Sequence, residues 1–149
     1  MSAVVDKIEG LTRLSDFFGF VPDFHDWTIT SFAWQPPQIR MEFDAFRMTS
    51  QVDGAGHFVC DRRARVTVNC QSVSAWDVRC GEGGIVGSVR WVAVRDIPSD
   101  ARARLKLFCA GPGDEDIAFE LEPAYGIEGW ITCERIAIDV EPLVDEDKK

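Results

Sequence analysis

Asp23, His25 and Asp26 bring two carboxylates and one of the two histidines of the chain into a single short segment, Gly19-Phe20-Val21-Pro22-Asp23-Phe24-His25-Asp26-Trp27. Such residues could bind a metal ion, or the imidazole could serve as a general base oriented by a carboxylate. A zinc centre needs three or four convergent ligands, and only His57, distant acids and unpaired cysteines could complete one. The same segment lies where helical periodicity stops and strand periodicity starts. In that position His25 and Asp26 are expected to hydrogen-bond exposed backbone, while Phe24 and Trp27 anchor the corner in the core. The structural role is the favoured one, and no catalytic residue, metal ligand or cofactor is assigned.

The remaining candidates for chemistry are weaker. Cys60, Cys70, Cys80, Cys109 and Cys133 form no C-x-x-C pair and sit mostly within apolar alternation, where a thiol packs as a small hydrophobe. Gly81-Glu82-Gly83-Gly84-Ile85-Val86-Gly87 lacks the Gly-Lys-Ser/Thr ending of a phosphate loop and falls between strands, so a hairpin loop is expected. Arg62, Arg63, Arg65, Arg90, Arg95, Arg102, Arg104 and Lys106 make the middle of the chain basic without interleaved exposed aromatics, and cross-strand pairing with acids accounts for them. Of five tryptophans, Trp34 beside Gln35-Pro36-Pro37, and Trp76 with the same-face neighbours Ser74, Val78 and Cys80, are expected to be partly exposed as interface anchors.

Around these residues the chain has the length and composition of one ordinary domain: 149 residues, 46% hydrophobic and 28% charged. Its net charge of −9 is unevenly spread. Residues 111–149 carry 12 acidic and 3 basic side chains, whereas residues 50–110 carry 9 basic and 6 acidic ones. An acidic chain is a poor ligand for nucleic acid or anionic lipid and draws basic partners. Glu120, Glu122, Glu128 and Glu134 are accordingly expected to help bind a basic protein, with Glu120 and Glu122 on the strand face opposite Phe119 and Leu121. The odd cysteine count, the lack of a secretory leader and the absence of a long apolar run lead to the expectation of a cytoplasmic protein with no membrane segment.

Val4, Ile8, Leu11, Leu14 and Phe18 recur at helical spacing, predicting a helix over 3–18 that Gly19 and Pro22 terminate, or two short helices divided at Gly10, the second capped by Thr12 or Ser15. From Trp27 the period falls to 2, as in Ile39, Met41 and Phe43 alternating with Arg40, Glu42 and Asp44. About eight strands are expected, near 27–34, 38–48, 64–71, 73–80, 85–95, 103–110, 116–123 and 129–141, with a β-bulge absorbing a phase slip at Glu134-Arg135. The fold class that follows is mainly β (α+β): one N-terminal helix and mostly antiparallel strands forming a sandwich or partly open barrel. It is expected to occupy 1–143 as a single domain with its β region at 27–141, and 144–149 is expected to fray.

The helix ending Phe17-Phe18-Gly19, followed by Pro22-Asp23-Phe24-His25-Asp26-Trp27-Thr28-Ile29, resembles the opening of a bacterial family of small immunity proteins encoded beside polymorphic toxins, immunity protein fifty. Ala124-Tyr125-Gly126-Ile127-Glu128-Gly129-Trp130-Ile131-Thr132-Cys133-Glu134-Arg135-Ile136-Ala137-Ile138 is similar to its closing aromatic strand. The chain departs from the family in having no W-x-W pair. The resemblance implies a non-enzymatic cytosolic inhibitor of a cognate toxin, with His25 and Asp26 as matching motif positions and no catalytic residue to carry over. A small-molecule-binding β-barrel or sandwich is the alternative, followed by a metal-dependent hydrolase around Asp23, His25 and Asp26.

Overall fold

Gly10 decides how the N-terminus is built. Its φ is +95°, and a Cβ there would stand 2.1 Å from the carbonyl oxygen of Ile138, so only glycine lets the chain approach the sheet this closely. The computed structural model, which describes residues 4–106 and 113–143, therefore shows no continuous helix over 3–18. A 3₁₀ turn at Val5–Lys7 leads into a two-residue strand, β1 (Ile8–Glu9), and helix α1 occupies only Leu11–Phe18. Val4 and Ile8 are buried as their spacing suggested, but by a turn and by the parallel pairing of Ile8 with Ile136. The expected stop is present: Gly19 has φ +85° and donates to the Ser15 carbonyl at 2.7 Å.

Three long strands follow, β2 (Thr28–Gln35), β3 (Gln38–Val52) and β4 (Phe58–Ala93), and after helix α2 (Ser99–Lys106) a fourth, β5 (Ile117–Pro142). Where the sequence suggested strands over 64–71, 73–80 and 85–95 there is one strand, and 116–123 and 129–141 are likewise joined. The Gly81–Gly84 cluster, expected as a hairpin loop, is a bend within a paired strand. Gly126, at φ +89°, would place a Cβ 1.9 Å from the Glu82 carbonyl oxygen, so its lack of a side chain lets β5 follow the Gly81–Gly84 bend of β4. The phase slip at Glu134-Arg135 is matched in β4 by Gln71 and by Ser72 at φ +54°. Register is unbroken from Cys70↔Ile136 to Val73↔Cys133, so the two strands bend together.

The segment expected as a strand at 103–110 is helical as far as Lys106. Helix α2 opens at Ser99, directly after Pro98, with Asp100 as an acid in its first turn. Residues 107–110 of that expected strand, and the tail 144–149, lie outside the described residues.

The sheet is mainly antiparallel and curls on itself into a half-barrel. β3 pairs with β2 and with the first half of β4, β2 returns to the second half of β4 through Thr28↔Ile85, and β5 follows β4 along its length. Bulges and strand twist supply the curl, since a 36-residue strand cannot remain flat in so small a protein. The inner face holds Ile39, Met41, Phe43, Val66, Val68 and Cys70, closed over by Leu14 and Phe18 of α1. A smaller outer cluster joins Ala101 of α2 to Ala75, Ala118 and Trp130. Among the described residues no helix is long and apolar enough to cross a membrane.

Candidate functional site

Phe24 and Asp26 lie in the left-handed region, at φ +66° and +64°, a conformation that costs a bulky residue roughly 1–3 kcal/mol. Burial offsets that cost. The Phe24 ring is fully enclosed, stacked 4.3 Å from Trp27 and edge-on to Phe43 at 5.1 Å. Trp27 donates from Nε1 to the Phe46 carbonyl at 2.9 Å. The backbone of the corner is tied to β4 by Asp26 N–H to the Val86 carbonyl, Val86 N–H to the Trp27 carbonyl and Val89 N–H to the Asp23 carbonyl. All four expected corner residues thus meet at one junction, with Phe24 and Trp27 in the core and Asp26 half-buried.

His25 is the exposed member of this corner. Its Nδ1–H donates to the Gly87 carbonyl at 2.8 Å, and Nε2 lies 3.4 Å from an Asp26 carboxylate oxygen. Its pKa is raised, first by the Gly87 carbonyl, against an opposing effect of burial, with the charges of Asp26 and Asp23 adding to the rise. This arrangement favours the protonated imidazole. With one ring nitrogen committed to backbone and the other facing a carboxylate, it offers no base aimed at open space. Among the described residues no group of three or more His, Cys, Asp or Glu is placed to hold a metal ion.

The acids expected to bind a partner occupy separate parts of β5. Glu120 and Glu122 do share a face, opposite buried Phe119 and Leu121, but both engage Arg90, at 2.7 and 3.4 Å, and Glu122 also accepts from Ser88 at 2.5 Å. Glu128 pairs in register with Arg79, and Glu134 is exposed at the shared bend. Cross-strand neutralisation recurs elsewhere: Arg65 reaches Glu42 and Glu141, and Arg47 chelates Asp61 at 2.8 and 2.7 Å. Asp61 is held below the usual carboxylate range by that guanidinium. Two cysteines depart from the expected core packing, since Cys60 and Cys80 are exposed while Cys70 and Cys133 are buried. The Cys133 thiol and burial push Cys70 well above its ordinary pKa, so it remains a neutral packing group. Cys109 lies outside the described residues.

Trp34 and Trp76, distant in sequence, are brought together by the curl of the sheet: their ring centroids are 5.9 Å apart, and Phe32 adds a third ring 5.6 Å from Trp76.

 Trp34 is 40% exposed and Trp76 half-buried. The neighbours expected for Trp76 are corrected by a bulge: register shifts between Val73 and Ala75, so Val73 rather than Ser74 shares its face, and Ser74 turns to Thr132, with its Oγ 2.8 Å from the threonine hydroxyl. Between Trp34 and residues 73–78 of β4 lies an open cleft of about 500 Å³. A second, of about 320 Å³, continues between residues 29–32 and the Gly81–Gly84 bend, which is therefore neither a phosphate loop nor a hairpin.

Sequence reasoning missed Phe32 and an apolar arm at the β3–β4 turn. Asp53 organises that turn by accepting from the backbone of Ala55 and His57, and Met48, Val52 and Phe58 flank it at 46, 57 and 57% exposure. The alternation of Phe32 with Trp34 could have signalled the first. Nothing in an apolar strand end distinguishes a projecting arm from core. Comparison of the chain with protein-family models, curated proteins and solved structures gives no match.

Proposed function

We propose that this chain is a non-enzymatic protein-binding protein, of the kind that inhibits a cognate bacterial toxin by occupying it. The supporting observation is the aromatic cleft of Phe32, Trp34 and Trp76, since large rings left partly open at a sheet edge are the usual anchors of a protein interface. The apolar arm of Met48, Val52 and Phe58 adds a second place where contact would remove hydrocarbon from water. The toxin assignment rests on the sequence resemblance at the two ends of the chain. A net charge of −9 suits a basic partner, because opposite fields speed encounter.

Co-expression with the product of the adjacent gene tests this reading. The expected result is a stable complex and relief of that product's toxicity; a harmless neighbour, or one that never binds, overturns it. The cleft also favours a second reading, a small-molecule site, because about 500 Å³ lined by aromatic rings falls within the range of ligand pockets. An aromatic ligand that copurifies with the chain and raises its melting temperature would support that alternative.

A further inference from the structure

β2 and β4 meet at both ends of a seam and part between them. At one end Thr28 pairs with Ile85, and at the other the Val73 N–H donates to the Pro37 carbonyl at 2.8 Å. Among the described residues no ladder joins residues 29–35 of β2 to residues 74–84 of β4, so the gap is a pocket with two closed ends rather than a slot for a strand. Its larger cleft, of about 500 Å³, is lined by Trp34 and by the consecutive residues 73–78 of β4. Successive side chains point to opposite faces of a strand, so consecutive residues share a cleft only where the backbone edge itself borders it.

Two kinds of surface therefore meet in the cleft. One is aromatic: Trp34, 40% exposed, stands 5.9 Å from Trp76, which Phe32 backs at 5.6 Å. The other is bare backbone. β5 occupies one edge of β4 along residues 75–80, and the alternate residues whose N–H and C=O turn the other way meet no strand across the gap. Each such residue offers a donor and an acceptor on the same side, the pair that one residue of a neighbouring strand would engage. Charge contributes little. Among Trp34 and residues 73–78 there is no base, the one acid, Asp77, has a partner of its own, and the Ser74 hydroxyl is 2.8 Å from that of Thr132. In a chain of net charge −9, a lining without a base disfavours anions, and an acid already engaged does not select a cation.

We propose that this cleft binds an uncharged, planar heteroaromatic molecule whose rim carries a ring N–H beside a ring C=O, the lactam edge of purine and pyrimidine bases. The face of the ring lies on the exposed indole surface of Trp34 and Trp76, where stacking tolerates any flat π-system. The lactam N–H donates to a backbone carbonyl of β4 within residues 73–78, and the lactam C=O accepts from the N–H of the same residue. One residue of β4 supplies both bonds, so the closed ends of the seam leave room for the ring where they exclude a strand. The volume lies within the roughly 300–1,000 Å³ of small-molecule pockets. This inference rests on the small-molecule reading of the cleft and deepens it by naming the chemistry of the ligand.

The probes are inosine and uridine, added to the full chain. Their controls are 1-methylinosine and 3-methyluridine, which lack the ring N–H, and the two 5′-monophosphates, which add negative charge. Expected are amide chemical-shift changes centred on Trp34 and residues 73–78, and binding weakened about tenfold by N-methylation and by Trp34→Ala. Trp34→Phe, which keeps a ring, should retain more of the binding than Trp34→Ala, and the monophosphates should bind more weakly than the nucleosides. Binding of neither nucleoside, equal binding of the methylated forms, tighter binding of the monophosphates, or shifts centred on residues 48–58 overturns the proposal. Its failure is separable from that of the small-molecule reading: a ligand without a lactam edge that copurifies in the cleft refutes this inference alone. A neighbouring gene product that covers residues 73–78, with neither nucleoside bound, refutes both.

Discussion

The His25 corner and the β2–β4 seam are both built from aromatic rings beside acids, yet one is closed and the other open. At the corner, rings are enclosed, backbone groups are tied to β4 and His25 is committed to the Gly87 carbonyl. At the seam, rings stand at a gap where two strands run past each other unpaired. Residues that could do chemistry are spent on holding the fold at the first. At the second, residues of ordinary type are left available by the path of the backbone.

That contrast predicts unequal responses to mutation. Phe24→Ala removes a fully enclosed ring while leaving the left-handed backbone in place, and should cost about 3–5 kcal/mol in chemical denaturation. A cost below about 1 kcal/mol would show that the corner is not a keystone of the core. Next, Gly126→Ala sets a methyl group where the Glu82 carbonyl oxygen already stands, and should cost about 2–3 kcal/mol and loosen the Gly81–Gly84 end of the seam. Unaltered hydrogen exchange at residues 80–85 in that variant would separate the glycine from the shape of the seam.

The same contrast explains what could be read from the sequence. Period-2 alternation correctly marked Ile39, Met41 and Phe43 as the buried side of a strand, because burial on one side of a strand is a local pattern. Helix α1 and its stop at Gly19 were legible for the same reason. Val4 and Ile8 misled because a turn and a short bridge bury residues at the spacing a helix would use. The Gly81–Gly84 bend was read as a hairpin loop, since glycine permits a reversal and a bulge alike. The seam was not legible at all beyond Trp34 and Trp76: a missing pairing is a relation between strands some forty residues apart.

Trp34→Ala should be mild, lowering stability by less than about 1.5 kcal/mol, because the ring is already 40% in water and its loss leaves no enclosed cavity. Thermal or urea denaturation checks this. A loss comparable to that of Phe24→Ala would make the seam part of the core and remove the distinction between the two regions.

The smallest expected effect is the dependence of stability on His25 ionisation. Its folded pKa is raised by the Gly87 carbonyl and then by Asp26 and Asp23, so the folded chain binds the proton more tightly than the unfolded chain does. That contribution is fully present below the unfolded value, about 6.5, and is lost as pH rises through the somewhat higher folded value. The exposed ring keeps it small, since water screens these interactions. The melting temperature of the wild type relative to His25→Gln should therefore be constant at acidic pH and decline by less than about 2 °C between pH 6 and 8. A difference that instead grows with pH would mean that folding favours the neutral imidazole, and the corner would then have to contain a base held ready, contrary to its closed geometry.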